Sequence, residues 1–337
     1  MPIKQIQPSA LLNLPIEILL LIANLLDTRD VGSFLRTARR YASILDSHMY
    51  QRARSHICAD GNSVLGWAAK RNQAPVIHKL LRKTSDAPIP LGVKTKALCL
   101  AAEAGMHRII ELLVDAGANP SSAIDMGRSS TCSALQLAAE NGHETAVQAL
   151  LGMGADIAAT NSTRETALHY AARGGRESVT RLLLERGADV AALTTSRETA
   201  LHYAVLGRNE AVVKLLLEKG VDLEATSDIG QTALFCVFGV KSASSESVLD
   251  LLLAKGANVA VSEPFRSLTP LHFAVQDGNE WAVRSLLAHG ADVMDWGVDV
   301  SAVAVGENDT PRNFAEWSGH EAITRLLDEA ATQRVKD

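Results

Sequence analysis

Aromatic residues make up only 4% of this 337-residue chain, so its interior cannot be a thick core built on large rings. Cysteine is as sparse. Cys58, Cys99, Cys132 and Cys236 are scattered, with no Cys-x-x-Cys pair, which argues against a disulfide framework or a thiolate metal site. Small buried thiols in a reducing compartment are the expectation. A phosphate-binding glycine loop, a His-Glu-x-x-His pair and a Gly-x-Ser-x-Gly turn are all missing, so neither catalysis, a cofactor nor a metal is expected. There is no excess of basic charge. The net charge is −5, with +3 on residues 1–54 and −8 on the rest, and an acidic surface repels a phosphate backbone. Nor does any uninterrupted apolar run reach the ~20 residues of a membrane span. Leu11 to Leu26 comes nearest, but Pro15, Glu17 and Asn24 interrupt it, and the next segment is basic rather than small and cleavable. Asn161-Ser-Thr and Asn308-Asp-Thr match the glycosylation sequence, which has no consequence without a secretory signal.

What the chain does contain is repetition. Thr166-Ala-Leu-His-Tyr-Ala-Ala-Arg-Gly-Gly is followed by Arg176-Glu-Ser-Val-Thr-Arg-Leu-Leu-Leu-Glu-Arg-Gly-Ala-Asp189. Leu168, Ala171 and Ala172 share one face of a short helix; Val179, Leu182 and Leu183 give a second helix the same spacing. Gly174-Gly175 turns the chain between them, and Gly187 stands where a left-handed cap residue belongs. Two short helices with one apolar stripe each cannot bury themselves, so a like neighbour is required. Thr199-Ala-Leu-His-Tyr-Ala supplies it 33 residues later. Aligned on the Thr position, repeats begin at Ser63, Lys96, Ser133, Thr166, Thr199, Thr232, Thr269 and Thr310.

This wording resembles the ankyrin repeat, with its T-P-L-H-x-A-A helix, glycine turn, V-x-x-L-L helix and G-A-D/N end. The resemblance covers about four fifths of the chain, residues 55–330, with the first two repeats and the last degenerate and 331–337 a polar tail. It implies that His169, His202 and His272 bridge Thr to the neighbouring hairpin rather than act as bases or metal ligands. It also implies that partners bind the hairpin tips and inner helices, a concave face. The corresponding residues are Ser162, Thr163, Glu165, Arg173, Thr195, Ser196, Glu198, Leu206, Asp228, Ile229, Gln231, Gln276 and Asp277. Arg164 and Arg197 stand where the family prefers Gly, so those turns either take another geometry or strain a non-glycine residue. Three stretches break the period. Gly127 to Thr131 lengthens a connection, and the Ser-rich Gly239 to Glu246 extends a turn by three residues. Asp295 to Asp309, with Trp296, forms a finger that either meets a partner or tucks over the core.

Ahead of the repeats, Ile18, Leu19, Ile22, Leu25 and Leu26 repeat at helical spacing behind Pro15. A second helix is expected after Asp30 and a third around Tyr41 to Tyr50. Ile16, Leu20 and Leu21 add apolar surface on other faces, and hydrophobicity alone leaves a docking face and a simple cap of the first repeat equally open. Leu14-Pro15-x-Glu17-x-Leu19-x-x-Ile22-x-x-Leu25 and Asp30-Val31-x-x-Phe34-Leu35-x-x-Ala38-Arg39-x-Tyr41 resemble the F-box, a three-helix module, over residues 10–54. That resemblance implies that Leu14, Pro15, Ile18, Leu19, Ile22, Leu25, Val31, Phe34 and Leu35 contact the Skp adaptor of a Skp–cullin–F-box ubiquitin ligase. The expectation is an all-α chain, an F-box-like module followed by an ankyrin solenoid, acting as a non-catalytic substrate adaptor in the cytoplasm or nucleus. It would be monomeric within the cullin–RING complex and would hold a protein substrate, with no nucleic acid or membrane partner. The alternative is an ankyrin scaffold with a helical cap and no ligase.

Overall fold

The computed structural model describes residues 63–81, 89–125, 131–239, 242–264, 267–293 and 310–334. The F-box-like segment 10–54, with its nine adaptor-facing residues, lies outside the described residues, as does the 295–309 finger. The chain divides at Ala159/Thr160 into two compact blocks. Among the described residues no helix is long and apolar enough to cross a membrane.

The first block contains α1 (Val64–Lys70), α2 (Ala74–Leu81), α3 (Leu91–Glu103), α4 (His107–Asp115), a two-stranded antiparallel hairpin, α5 (Ala134–Asn141) and α6 (Glu144–Gly152). The hairpin pairs β1 (Ala123–Asp125) with β2 (Thr131–Ser133), with Ile124 opposite Cys132. Inner helices α1, α3 and α5 pack in one row, and outer helices α2, α4 and α6 in another. In the second block α7 (Ala167–Arg173), α9 (Ala200–Leu206), a 3-10 turn (Ala233–Val237), α12 (Pro270–Gln276) and α14 (Pro311–Trp317) form the inner row. The outer row is α8 (Glu177–Glu185), α10 (Glu210–Glu218), α11 (Ala243–Ala254), α13 (Glu280–Ala288) and α15 (Glu321–Arg334).

The apolar stripes bury as their spacing predicts. Leu168, Ala171, Ala172, Val179 and Leu183 are essentially inaccessible, and each buried leucine contributes about 2 kcal/mol. Alanine at 171 and 172 lets the neighbouring inner helix approach closely. Asp189 accepts from the Ala191 N–H at 2.9 Å and Asp222 from the Glu224 N–H at 3.0 Å, so these two repeat-ending aspartates each make an Asx turn. Gly187 has φ +87°, the left-handed cap expected of it.

A neutral histidine ties each Thr-Ala-Leu-His repeat to the next. The Thr166 N–H donates to Nδ1 of buried His169 at 3.2 Å, and His169 Nε2 lies 3.4 Å from the Glu198 carbonyl. His202 repeats this with Thr199 and, at 3.2 Å, the Gln231 carbonyl. A proton on Nε2 alone satisfies both contacts; a second proton on Nδ1 would face the Thr donor. Burial, the largest influence, pushes both imidazoles below their usual pKa. Gln136 does the same work in the Ser133 repeat. Its Oε1 accepts from the Ser133 N–H at 2.8 Å, and its Nε2 donates to the Ala159 carbonyl at 3.4 Å.

Several expectations are corrected. Lys96, aligned at the Thr position of a degenerate repeat, lies inside α3 rather than at its start: the helix begins at Leu91 behind Pro90, because Lys has no capping oxygen and nothing in the five preceding residues stops the helix. The Ser-rich stretch is not simply a longer turn. Ser242 caps α11 by accepting from the Ser245 N–H, so Ala243 to Glu246 join the helix. In the Thr232 repeat Phe235 replaces His, cannot accept the Thr N–H, and the inner element becomes 3-10 rather than α. Cys99 and Cys132 are buried thiols and Cys236 is a half-buried one, and none of the three is in a disulfide. Burial pushes the Cys99 and Cys236 thiols up to about 12, so they are inert at neutral pH.

This packing makes two predictions. His169→Gln should fold with little loss, whereas His169→Leu, which orphans the buried Thr166 N–H, should cost about 1–3 kcal/mol in urea unfolding. The imidazole is held neutral, so its contribution is fully present above about pH 6.5 and falls as pH drops from there to the depressed folded value. The Gln variant should lose that residue's share of the slope. The second concerns Gly175, at φ +65°, where an added Cβ would lie 2.5 Å from Asn209 Nδ2. Asn209 caps α10 and donates to the Gly175 carbonyl at 3.2 Å. Gly187 has a similar φ but open space around it. Gly175→Ala should therefore destabilise by more than about 1 kcal/mol, and Gly187→Ala by clearly less.

Candidate binding surface

Three hairpin turns of the second block, 160–166, 193–199 and 226–232, project ahead of their inner helices. Each closes the same way. The Arg164, Arg197 and Gly230 N–H groups donate to the Asn161, Thr194 and Ser227 carbonyls at 3.1, 3.0 and 3.0 Å. The closing residue takes φ of +60°, +58° and +73° respectively. Of the two geometries open to Arg164 and Arg197, the turns adopt the strained one, which costs an arginine about 1 kcal/mol more than a glycine. The fingers are tied tip to tip. The Thr195 N–H donates to the Thr163 carbonyl at 2.9 Å, and the Asp228 N–H to the Ser196 carbonyl at 2.8 Å. Backbone bonds of this kind hold the tips as one rigid edge.

Behind that edge lies a polar network centred on Glu165. Its carboxylate accepts from Asn161 Nδ2 at 2.6 Å, Thr163 Oγ1 at 3.1 Å and Tyr203 Oη at 2.7 Å. Arg173 Nη1 stands 3.7 Å away, and its guanidinium lies 4.8 Å from the Tyr170 ring centre and 5.9 Å from that of Tyr203. Burial pulls the Glu165 carboxyl upward, but the three hydrogen bonds and the Arg173 charge outweigh it and hold the group below its ordinary value. Tyr203 is pushed up by burial, by its bond to Glu165 and by the Glu165 and Glu198 charges. Glu198 is raised by burial and then by the neighbouring Asp228 charge. Among the described residues no group of three or more His, Cys, Asp or Glu side chains is placed to hold a metal ion.

The residues expected on the binding face all fall in the second block. Ser162, Thr163, Arg173, Thr195, Leu206, Asp228, Ile229 and Gln276 are exposed; Ser196, Glu198, Gln231 and Asp277 are half-buried. Leu206 and Ile229 are conspicuous, at 47% and 43% exposure. Asp277 Oδ2 accepts from the Gly239 N–H at 2.6 Å. Glu165 differs from the rest: it is buried and spent on internal hydrogen bonds, so it braces the surface from behind. Sequence reasoning did not single out Tyr170 or Tyr203, and took Asn161 only as a match to the glycosylation sequence. The available signal was the Tyr after each of the two Thr-Ala-Leu-His runs, at positions 170 and 203. Asn161 is buried with Nδ2 also donating to Tyr170 Oη at 3.1 Å, so the folded chain cannot be glycosylated there.

The chain matches the family described as ankyrin repeats in three copies, at residues 65–161, 135–227 and 238–337, together well over half its length. No curated protein matches the chain.

Tyr203→Phe removes one donor to the Glu165 carboxylate and should cost about 1.5 kcal/mol at neutral pH. Because the Glu165 pKa is depressed, its contribution is fully present above about pH 5 and is lost as pH falls through the folded value. The Phe variant should lose it at a higher pH, read as a shifted acid-unfolding midpoint. An unmoved midpoint would show that the network does not bind that carboxylate.

Proposed function

Because the chain belongs to the ankyrin-repeat family, we propose that its repeats are the protein-recognition part of a substrate adaptor for a Skp–cullin–F-box ubiquitin ligase. The repeats serve protein–protein interaction. The observation that carries this reading is the rigid row of fingertips in the second block, tied by the bonds from Thr195 to Thr163 and from Asp228 to Ser196, with exposed Leu206 and Ile229 and the Arg173–tyrosine stack on the same block. Rigid presentation lowers the entropy lost on binding, and exposed aliphatic, aromatic and arginine groups are the side chains that anchor protein interfaces.

The ligase half of the reading is supported by the sequence of residues 14–41 alone, through Leu14-Pro15-x-Glu17 and Asp30-Val31-x-x-Phe34-Leu35. In it, the amino-terminal segment docks on the Skp adaptor and the repeats hold a protein whose lysines are modified by other subunits. The chain does no chemistry itself; it supplies proximity and orientation.

The test is co-purification with the host Skp adaptor. Wild-type protein should retain the adaptor, and a Leu14→Ala, Pro15→Ala double variant with an unchanged melting temperature should lose it by roughly tenfold or more. A folded wild type that retains no adaptor overturns the ligase role and leaves a protein-binding array.

A further inference from the structure

Arg164 and Arg197 occupy left-handed turn positions at φ +60° and +58°, and Gly230 fills the equivalent place in the next finger at +73°. Glycine therefore makes this turn without strain, and the arginines are not needed to close it. A third left-handed arginine shows what an internal use looks like. Arg208, at φ +53°, donates from Nε to Ser245 Oγ at 3.0 Å and so joins α11 to the preceding repeat. Arg164 and Arg197 have no such role. Both side chains are exposed, and neither makes an ion pair or side-chain hydrogen bond among the described residues. Among the described residues, neither half-exposed Glu198 nor exposed Asp228 pairs with either guanidinium. The two arginines sit on adjacent fingers that the Thr195–Thr163 backbone bond locks together.

We propose that Arg164 and Arg197 are a two-point recognition site for an acidic segment of a partner protein. A guanidinium offers a planar pair of donors that matches a carboxylate. Two of them on a fixed edge can take two carboxylates of one extended segment with little further ordering. The exposed hydroxyls of Ser162 and Thr195 add donors beside them. Strained residues without an internal role concentrate where a chain binds something. The proposal rests on the protein-binding reading above, not on its ligase half.

The whole chain carries a net charge of −5, so an acidic peptide would be repelled by the molecule at large and retained only by a local site. The probe is a fluorescein-labelled peptide of about ten glutamates, followed by anisotropy at low salt, with a neutral Gly-Ser peptide as control. The wild type should bind it, and binding should weaken as salt rises from about 50 to 300 mM. An Arg164→Gly, Arg197→Gly double variant should melt at or above the wild-type temperature, because the strain is relieved, yet bind at least roughly tenfold more weakly. Arg164→Lys, Arg197→Lys should fall between the two, keeping charge without the paired donors. Equal binding by the glycine variant and the wild type overturns the proposal. So does a wild type that ignores the acidic peptide; if it still captures partner proteins through other surfaces, the protein-binding reading stands without this site.

Discussion

The repeats that start at Thr166 and Thr199 each depend on one buried, neutral imidazole, His169 or His202, that accepts from its own repeat and donates to the next. Short amphipathic helices gain too little from their own hydrogen bonds to persist alone, so the apolar stripe must be covered by a neighbour. Apolar contact is non-directional and would tolerate sliding. The bonds from His169 to Glu198 and from His202 to Gln231 remove that freedom, because a ring nitrogen at a set position reaches only one carbonyl. Gln136 shows that the chemistry matters and not the residue type: an amide with one acceptor and one donor performs the same connection. Where Phe235 offers neither, the helix tightens into a 3-10 turn and aromatic contact takes over, with Phe235 edge-on to Phe273 at 5.4 Å.

Fixing the inner helices also fixes the fingers, since the carbonyls that receive His169 and His202 belong to finger residues Glu198 and Gln231. The backbone bonds between fingertips then extend that order outward. Glu165 joins the two levels. Its carboxylate gathers Asn161 and Thr163 from its own finger and Tyr203 from the next inner helix, so a charged group at a turn acts as internal bracing. The Arg173 guanidinium remains on the outside of that network, stacked on tyrosine and accessible. The surface is thus a stiff backbone edge carrying a few exposed side chains, an arrangement suited to specific protein contact.

Much of this is legible in the residues. The 33-residue period, the apolar stripes, the left-handed Gly187 and the bridging histidines all stem from local spacing and from the few ways such residues can be satisfied. Most of the expected face is exposed, including Leu206 and Ile229. The repeat pattern misleads where it is extended over residues unable to carry it. Alignment puts Lys96 at the Thr position though its side chain has no acceptor and it lies inside a helix, and a loop at the serines of 242–245 overlooks that Ser242 is a good N-cap. Glu165 escapes local reasoning because a charged residue next to a turn is ordinarily solvated; nothing nearby in the chain reveals that a tyrosine 38 residues away completes its shell.

The sequence by itself determined the repeat, the pairing of inner and outer helices, the absence of familiar catalytic motifs and the family to which the chain belongs. Those properties depend on residues within one or two turns of each other, or on their recurrence. Only the tertiary structure decided which polar groups face inward. It turned Glu165 and Asn161 into bracing, gave Arg208 an internal partner, and left Arg164 and Arg197 strained on adjacent fingers with no side-chain partner among the described residues. The physical reason is that a polar side chain's role is set by the donors and acceptors that surround it. In this chain many of those come from the neighbouring repeat, some thirty residues distant.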